Sequence, residues 1–350
     1  MTSNHQPEKS QTKRARKQAP RSLRNPQRSR KPVAHVRTRD QEIHQIPSSQ
    51  DAPETAQTAE TLERARSLNL ANADEVRALL RRHGLLRANK ALGQHLLVSR
   101  TALRSVVDAA ELTPDDAALE VGAGHGALTV ELARRARWVV AVELDRAILP
   151  VLRETTAPYP NVEIVERNLL DVEPEDLFGS EPYKLVANLP YYITAATLRH
   201  FLEARNPPRL LVVMVQREVA ERMVASAGEM SLLSLSVQFY GAPRIVARVP
   251  ASAFYPPPKV DSAIVRIDLH PASLSLEERD WFFTLARAGF AEKRKQVHNS
   301  LARHLDVDPA RIQDWLNAAN IESTRRAQTL SLEDWLRLTA VSAPDVRRTD

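Results

Sequence analysis

The chain has 350 residues, of which 43% are hydrophobic, enough for about two domains with a proper core. Because it contains no cysteine, disulfides, thiolate zinc sites and cysteine nucleophiles are excluded. No apolar run approaches the ~20 residues needed to span a bilayer, and no signal-peptide core follows Met1. We therefore expect a soluble, cytoplasmic protein without a membrane partner.

The positive charge is concentrated at the amino terminus. Residues 1–40 hold twelve Lys or Arg against Glu8 and Asp40, a net charge of +10, whereas the whole chain carries +6, so the remainder carries −4. Residues 1–70, rich in Gln, Pro, Ser, Arg and Lys at their start, are predicted to form a basic, disordered extension. Two interpretations stay open for it: a salt-sensitive arm for RNA, or a solubilising extension. A mitochondrial presequence fits less well, because the apolar half of an amphipathic helix is missing.

A short helix precedes the first motif. The apolar spacing between Val76 and His83 predicts this helix, and Gly84 is expected to close it. Residues 90–97 form a basic lead-in, broken by glycine, to the next helix.

A glycine-rich loop follows the first buried strand. Residues 119–129 read LEVGAGHGALT, in which a strand runs into glycines at 122, 124 and 126 and a helix with apolar spacing follows. Such glycines let the backbone approach a ligand and expose amides at the helix start. The next strand, residues 138–142, leads to Glu143, placed about 20 positions after the first glycine to bind ribose hydroxyls. We predict a nucleoside-binding βαβ unit, and the G-x-G-x-G spacing disfavours a dinucleotide.

Further strands and helices are predicted from short apolar runs. A third strand, 162–166, leads to Asn168, whose side chain can face an adenine edge. The other runs are expected to form strands at 184–187, 210–215, 235–240 and 260–267 and helices at 218–225, 309–319 and 331–340.

The fourth strand ends in residues 188–193, which read NLPYYI. The Asn188 side chain offers a carbonyl acceptor, and Pro190 stiffens the turn so that the neighbouring backbone carbonyl is held outward. Tyr191 offers a face on which a base can stack. Two acceptors and a stacking face suit the exocyclic amine of a planar ring such as adenine, although an ordinary turn with a packed tyrosine would also read this way.

Two segments in the last third carry open interpretations. The prolines of residues 253–259 exclude a regular element, and Phe254 is either a second wall of a base pocket or a hydrophobic anchor. A helical region from about residue 270 contains Lys293, Arg294 and Lys295. On a helix these cations would either track a phosphate backbone or form a solvated face.

Taken together, these motifs resemble those of the KsgA-type small-subunit rRNA adenine-N6,N6-dimethyltransferases. The resemblance covers about residues 74–340 and is carried by six segments: GQHLL (93–97), EVGAGHGALT (120–129), VELD (142–145), NLPYYI (188–193), FYPPPKVDSAIVR (254–266) and KRKQVHNSL (293–301). It implies an α/β, Rossmann-like class I methyltransferase domain (71–270) with a small all-helical RNA-docking domain (271–345). The cofactor implied is S-adenosylmethionine, with no metal.

The resemblance also assigns residues. Cofactor contacts are expected at His95, Leu97, Gly122, Gly124, Glu143, Asn168 and Asn188. The target-amine motif is Asn188, Leu189, Pro190 and Tyr191, and the base and RNA contacts are Tyr191, Phe254, Lys293, Arg294 and Lys295. The implied substrate is a pair of adjacent adenines in the 3′-terminal hairpin of 16S rRNA, each methylated twice, in an immature 30S subunit by a monomeric enzyme.

The chain departs from the family pattern at three places. Position 95 is His where many relatives carry Asn, position 168 is Asn where they usually carry Asp, and the basic extension is additional. Three other functions stay open at this point. They are methylation of 23S rRNA as in macrolide resistance, a non-catalytic assembly or transcription factor of the same fold, and, more distantly, a nicotinamide dehydrogenase.

Overall fold

A seven-stranded sheet forms the centre of the structure, a computed structural model that describes residues 56–85, 95–271 and 273–346. Its strand order is β4-β3-β2-β5-β6-β9-β7. The first five strands are parallel, and β9 runs antiparallel to both β6 and β7. A separate antiparallel pair joins β1 to β8. The strands are β1 Leu96–Leu97, β2 Ala117–Val121, β3 Trp138–Glu143, β4 Val162–Glu166, β5 Tyr183–Asn188, β6 Leu210–Gln216, β7 Gly241–Val249, β8 Phe254–Tyr255 and β9 Ser262–Leu269.

Helices cover both faces of this sheet and form the carboxyl-terminal part. They are α1 Ala56–Ser67, α2 Ala73–Arg82, α3 Arg100–Ala110, α4 Ala127–Ala133, α5 Leu149–Thr156, α6 Pro174–Phe178, α7 Thr194–Leu202, α8 Arg217–Met223, α9 Leu232–Tyr240, α10 Leu276–Phe290, α11 Val297–His304, α12 Pro309–Ala318 and α13 Leu332–Val346. Within the described residues, no helix is both long and apolar enough to cross a membrane. The mostly parallel sheet with helices on both faces confirms the predicted Rossmann-like fold.

The near-continuous apolar strands are explained by burial on both faces. In β6, Leu211, Val213 and Val215 belong to one buried cluster, whereas the alternate residues Val212 and Met214 belong to the cluster on the opposite face. Side chains alternate along a strand, so a sheet covered on both sides needs apolar residues at every position. The same reasoning explains the short apolar runs of the other central strands.

The carboxyl-terminal helices have a hydrophobic core of their own. It is built around Phe282, Trp335 and Leu338, and α9 contributes Leu235 to it. A methyl group at Gly289 would collide with the Trp335 indole, so only glycine allows α10 and α13 to approach this closely. The domain boundary between residues 270 and 271 stays a prediction, and the contribution of α9 shows that this core draws on residues before it.

Three predictions need correction or qualification, and one strand was not predicted. The run 235–240, expected as a strand, lies in α9, because a capping box between Ser231 and Ser234 starts a helix there. A short apolar run does not distinguish the two structures. Strand β7 was not predicted, and residues 253–259 contain the two-residue strand β8. Part of the extension that was predicted to be disordered forms helix α1. Residues 1–55 of that extension lie outside the described residues, as do Gly93 and Gln94.

Helix α1 is held by a carboxylate on the body of the protein. Glu154 on α5 accepts hydrogen bonds from Arg64, at 3.2 Å, and from Arg82, at 2.7 Å, and its second oxygen lies 2.6 Å from His83 Nε2. These partners lower the pKa of Glu154 against the opposing effect of its partial burial, which is the larger single influence. One side chain thus ties α1 and α2 to α5.

Candidate active site

The carboxyl ends of four neighbouring parallel strands lie along one edge of the sheet. In the order β4, β3, β2 and β5, they carry Asn168, Glu143, the glycine loop after Val121, and Asn188. The chain order changes direction between β2 and β5, and open α/β sheets hold ligands in the crevice at such a switch point. Residues from all four strand ends line one cleft. The two predicted motifs therefore face a common space.

The glycine loop adopts a backbone that other residues rarely reach. Gly122, Gly124 and Gly126 have φ angles of 77°, 58° and 86°, in the left-handed region that glycine enters without strain. A Cβ at Gly122 would lie 3.7 Å from the Asn188 carbonyl oxygen, and one at Gly126 would collide with the Thr155 hydroxyl on α5. The glycines thus bring the loop against the NLPYYI turn on one side and α5 on the other.

The Glu143 carboxylate organises the backbone around this loop. Its Oε2 accepts a hydrogen bond from the Gly124 amide, and its Oε1 accepts from the amides of Leu144 and Asp145, all at 2.8 Å. Burial raises the pKa of Glu143, and the three amides oppose that rise. A carboxylate offers about four lone-pair positions, so an acceptor position remains for a further donor.

Glu120 is a buried carboxyl group that faces the cleft and that sequence analysis missed. It lies near the end of β2 and is 1% exposed. Its Oε2 makes no hydrogen bond of full geometry, but the neighbouring Thr129 hydroxyl interacts with the carboxyl group and opposes the effect of burial on its pKa. Burial raises the pKa of Glu120 to about 8. In the ligand-free protein this carboxyl group is protonated at neutral pH, and a ligand that carries positive charge, as S-adenosylmethionine does, would favour its ionised form.

Glu120 is expected to make the stability of the ligand-free protein fall as pH rises. Its folded pKa of about 8 exceeds the ordinary value of 4.5, so the folded state binds the extra proton between these values. The unfolding free energy should then fall by roughly 1 kcal/mol per pH unit up to pH 8. Urea unfolding at pH 6.5 and 8 should show this slope in the wild type and a flatter one in Glu120→Gln. Equal slopes in both proteins would contradict it.

The NLPYYI turn presents the two acceptors that were predicted. Asn188 Nδ2 donates to the His95 carbonyl at 3.1 Å, which leaves Oδ1 as the acceptor of that amide. The Pro190 carbonyl accepts from the Ile193 amide at 3.2 Å and is occupied. The Leu189 carbonyl accepts no hydrogen bond from the residues the structure describes. Asn188 Oδ1 and the Leu189 carbonyl are therefore the pair available to an amine.

The Tyr191 ring is held in place from two directions. Its hydroxyl lies 2.8 Å from Ser262 Oγ on β9. Its ring stacks on that of His95, with centroids 5.8 Å apart and planes inclined by 27°. His95 is fixed in turn, because its Nδ1 lies 2.8 Å from the Pro256 carbonyl and must donate to it. A base that stacks on Tyr191 would meet a ring already oriented.

Leu97 and Asn168 also line the cleft. Leu97 belongs to β1, which pairs with β8. Asn168 follows β4, and its Oδ1 accepts from the Leu170 amide at 3.2 Å. One lone pair of that oxygen remains for an adenine amine, whereas a carboxylate would offer more acceptor positions and a charge.

Asn168→Asp is expected to lower the Kd for S-adenosylmethionine several-fold, because hydrogen bonds to charged acceptors are about twice as strong as neutral ones. Isothermal titration calorimetry on the wild type and the variant measures this directly. An unchanged Kd would contradict the expectation.

Four of the predicted substrate contacts are placed differently from the prediction. Phe254 is 3% exposed and packs in the core beneath the sheet, and it does not line the cleft, which favours the hydrophobic-anchor interpretation. Lys293, Arg294 and Lys295 lie in the connection between α10 and α11 rather than on a helix. Their side chains are exposed, and the described residues contain no ion pair to them.

Glu120 and Tyr192 also line the cleft, and neither was predicted to do so from the sequence. The signal for Glu120 was a charged residue inside an apolar strand, which requires a partner or a function. Tyr192 was read only as part of its motif.

Comparisons with known proteins agree on one family. The family model for ribosomal RNA adenine dimethylase matches residues 85–341. The ribosomal RNA small subunit methyltransferase A of Dehalococcoides mccartyi is 52% identical over 259 residues, covering 73% of this chain and 89% of that protein. The protein of that name from Alkaliphilus metalliredigens is 39% identical, covering 72% and 91%.

Two solved structures are also similar. A dimethyladenosine transferase from Plasmodium falciparum has a TM-score of 0.62 and 26% identity, covering 72% of this chain and 98% of that chain. The 23S rRNA methyltransferase ErmE has a TM-score of 0.59 and 30% identity, covering 70% and 98%. A dimethyladenosine transferase and a 23S rRNA methyltransferase thus share this fold.

Proposed function

The chain belongs to the ribosomal RNA adenine dimethylase family, and we propose that it dimethylates the N6 amines of two adjacent adenines in the 3′-terminal hairpin of 16S rRNA. It is an S-adenosylmethionine-dependent methyltransferase with an RNA substrate. One observation carries the proposal. The glycine loop with Glu143 suits a nucleoside, the Asn188 turn suits an amine, and both face the same cleft.

The nucleoside side of the cleft fits the cofactor. S-adenosylmethionine supplies a methyl group already activated on a sulfonium sulfur. Glu143 has an acceptor position left for ribose hydroxyls, and Asn168 Oδ1 has one for the adenine amine. Glu120 offers a buried carboxyl group beside the glycine loop, and a positively charged ligand would favour its ionised form. His95 and Leu97 line the same wall.

The amine side works by positioning. Asn188 Oδ1 and the Leu189 carbonyl would each accept one hydrogen of the target amine, which draws the nitrogen lone pair out of conjugation with the ring. Tyr191 would hold the base by stacking after it has left the RNA helix. Correct alignment of reacting atoms contributes several kcal/mol to catalysis, so this site needs no covalent nucleophile. Transfer of the methyl group would form a nitrogen–carbon bond and break the carbon–sulfur bond, which leaves neutral S-adenosylhomocysteine, and the methylated amine would lose one proton to solvent.

The choice of RNA rests on the sequence relatives. The proteins from Dehalococcoides mccartyi and Alkaliphilus metalliredigens carry the small-subunit name, and the former matches this chain at 52% identity, against 30% for the 23S enzyme. An intact cleft also argues against a purely non-catalytic factor, which needs no acceptor pair. We also propose that the substrate is an immature 30S subunit and that the enzyme is a monomer.

The test is methyl transfer from labelled S-adenosylmethionine to unmethylated 30S subunits and, separately, to protein-free 23S rRNA. Nucleoside mass spectrometry identifies the product. Dimethyladenosine in the 30S sample alone is expected. Label in 23S rRNA alone would move the activity to the resistance class, and tight 30S binding without transfer would favour an assembly factor.

The connection holding Lys293, Arg294 and Lys295 is proposed to contact rRNA phosphates. The neighbouring Glu292 is engaged by Arg303 at 3.4 Å and His304 at 3.7 Å, so it does not neutralise these cations. Changing all three to Gln should weaken 30S binding about 10- to 100-fold and reduce the salt dependence of the affinity, because counterion release is lost.

Arg134→Gln together with Arg135→Gln is the matched control for that experiment. Both arginines are paired with Glu131 on α4, at 2.5 and 3.0 Å, so they have less free charge to offer. Filter binding at several salt concentrations compares the two variants. The triple variant removes three positive charges and the control two, so the losses are compared per charge removed. Equal losses per charge would mean that only net charge matters and that this connection is no docking site.

A further inference from the structure

Tyr192 is an aromatic side chain exposed at the mouth of the cleft. It follows Tyr191 in the single turn of 3-10 helix Tyr191–Ile193. Its side chain is 62% exposed, and it is the only aromatic among the described large hydrophobic residues that are strongly exposed. Within the described part of the chain it has no ring contact or hydrogen bond. Packing within the protein therefore does not account for the ring.

The two consecutive tyrosines differ in their surroundings. Tyr191 is fixed by Ser262 and His95, whereas Tyr192 lies outside those contacts but still lines the cleft. Their Cα atoms are about 3.8 Å apart, as for any trans peptide. A nucleotide strand that places one base on Tyr191 must therefore pass close to Tyr192.

We infer that Tyr192 stacks on the nucleotide next to the adenine held in the pocket. This inference rests on the proposed function, in which the two target adenines are adjacent, so that each is the neighbour of the other. An exposed ring gains a partner when a base covers it, and any base can stack on an aromatic side chain because every base has a flat π face. The Tyr192 ring would thus hold one adenine by stacking while the other is methylated.

The test separates binding of RNA from binding of cofactor and from chemistry. Tyr192→Ala and Tyr192→Phe are compared with wild type for kcat and KM on unmethylated 30S subunits, and for cofactor Kd by calorimetry. We expect Tyr192→Ala to raise KM about 10-fold, with kcat within two-fold and cofactor Kd unchanged. Tyr192→Phe, which keeps the stacking face, should restore KM.

Val246→Ala is the control, since Val246 is an exposed apolar residue on the edge strand β7, does not line the cleft and should not affect KM. Three results would overturn the inference: an unchanged KM in Tyr192→Ala, a loss confined to kcat or cofactor Kd, or failure of Phe to restore KM. Inactive wild-type protein on 30S subunits would instead overturn the proposed function and this inference with it. Active wild type with normal Tyr192→Ala kinetics would overturn the inference alone.

Discussion

Asn188→Ala is expected to abolish dimethyladenosine formation on 30S subunits, lowering kcat by about 1,000-fold or more. The variant removes Oδ1, one of only two acceptors available to the target amine, and it removes the Nδ2 donor that binds the His95 carbonyl at 3.1 Å. Loss of one oriented hydrogen bond at a reacting group costs about 100- to 1,000-fold in comparable sites. Loss of the bond to His95 then loosens the element that holds Tyr191.

Asn188→Asp tests whether the acceptor or its orientation matters more. Asp keeps an oxygen for the amine, but its other oxygen would face the His95 carbonyl, acceptor against acceptor. We therefore expect Asp to be nearly as inactive as Ala. Asn317→Ala is the control, because Asn317 is an exposed amide on α12 that bonds only Gln313. Substantial activity in Asn188→Ala would contradict the assigned role.

The sheet could be predicted because each central strand is an apolar run that ends in a polar or glycine-rich turn. The carboxyl ends of β2, β3, β4 and β5 lie side by side as expected, since βαβ connections fix strand direction. The run 235–240 could not be assigned from its own residues. It is helical because the capping box between Ser231 and Ser234 starts a helix just before it. Phe239 on that helix then packs against Phe282, with ring centroids 4.5 Å apart, a contact that spans about forty positions of sequence.

The candidate site could be predicted in outline but not in its hydrogen bonds. The motifs indicated Asn188 and Glu143, yet nothing local shows that Asn188 binds His95 or that Ser262 on a distant strand holds Tyr191. For Phe254, the motif suggested a position that the structure does not show. Its motif suggested a pocket wall, but β8 pairs with β1 and turns the ring into the core.

Glu143→Gln is expected to raise the Kd for S-adenosylmethionine about 100-fold while the protein stays folded. In the wild type one oxygen serves Gly124 and the other serves Leu144 and Asp145. Gln has a single acceptor oxygen, so an amide N–H must face at least one backbone N–H. The glycine loop then shifts, and ribose hydroxyls lose a charged acceptor worth about 1.5–3 kcal/mol per bond.

Glu131→Gln is the control for a lost carboxylate, since Glu131 lies on α4 and pairs with surface arginines. Its cofactor Kd should equal that of the wild type, and calorimetry measures both. A wild-type Kd in Glu143→Gln would mean that the carboxylate only braces the backbone and that ribose binding lies elsewhere.

The pH dependence of cofactor binding gives an independent test of the same charge. Burial raises the pKa of Glu143 above its usual value, so the carboxylate is protonated at a higher pH than an exposed one. Protonation removes the charged acceptor, and affinity should therefore fall as pH falls through the folded pKa. Glu143→Gln resembles the protonated form at every pH, so its Kd should not respond to this titration. The two Kd values should converge in acid and diverge toward neutral pH, and parallel pH profiles in the two proteins would contradict a role for the Glu143 charge.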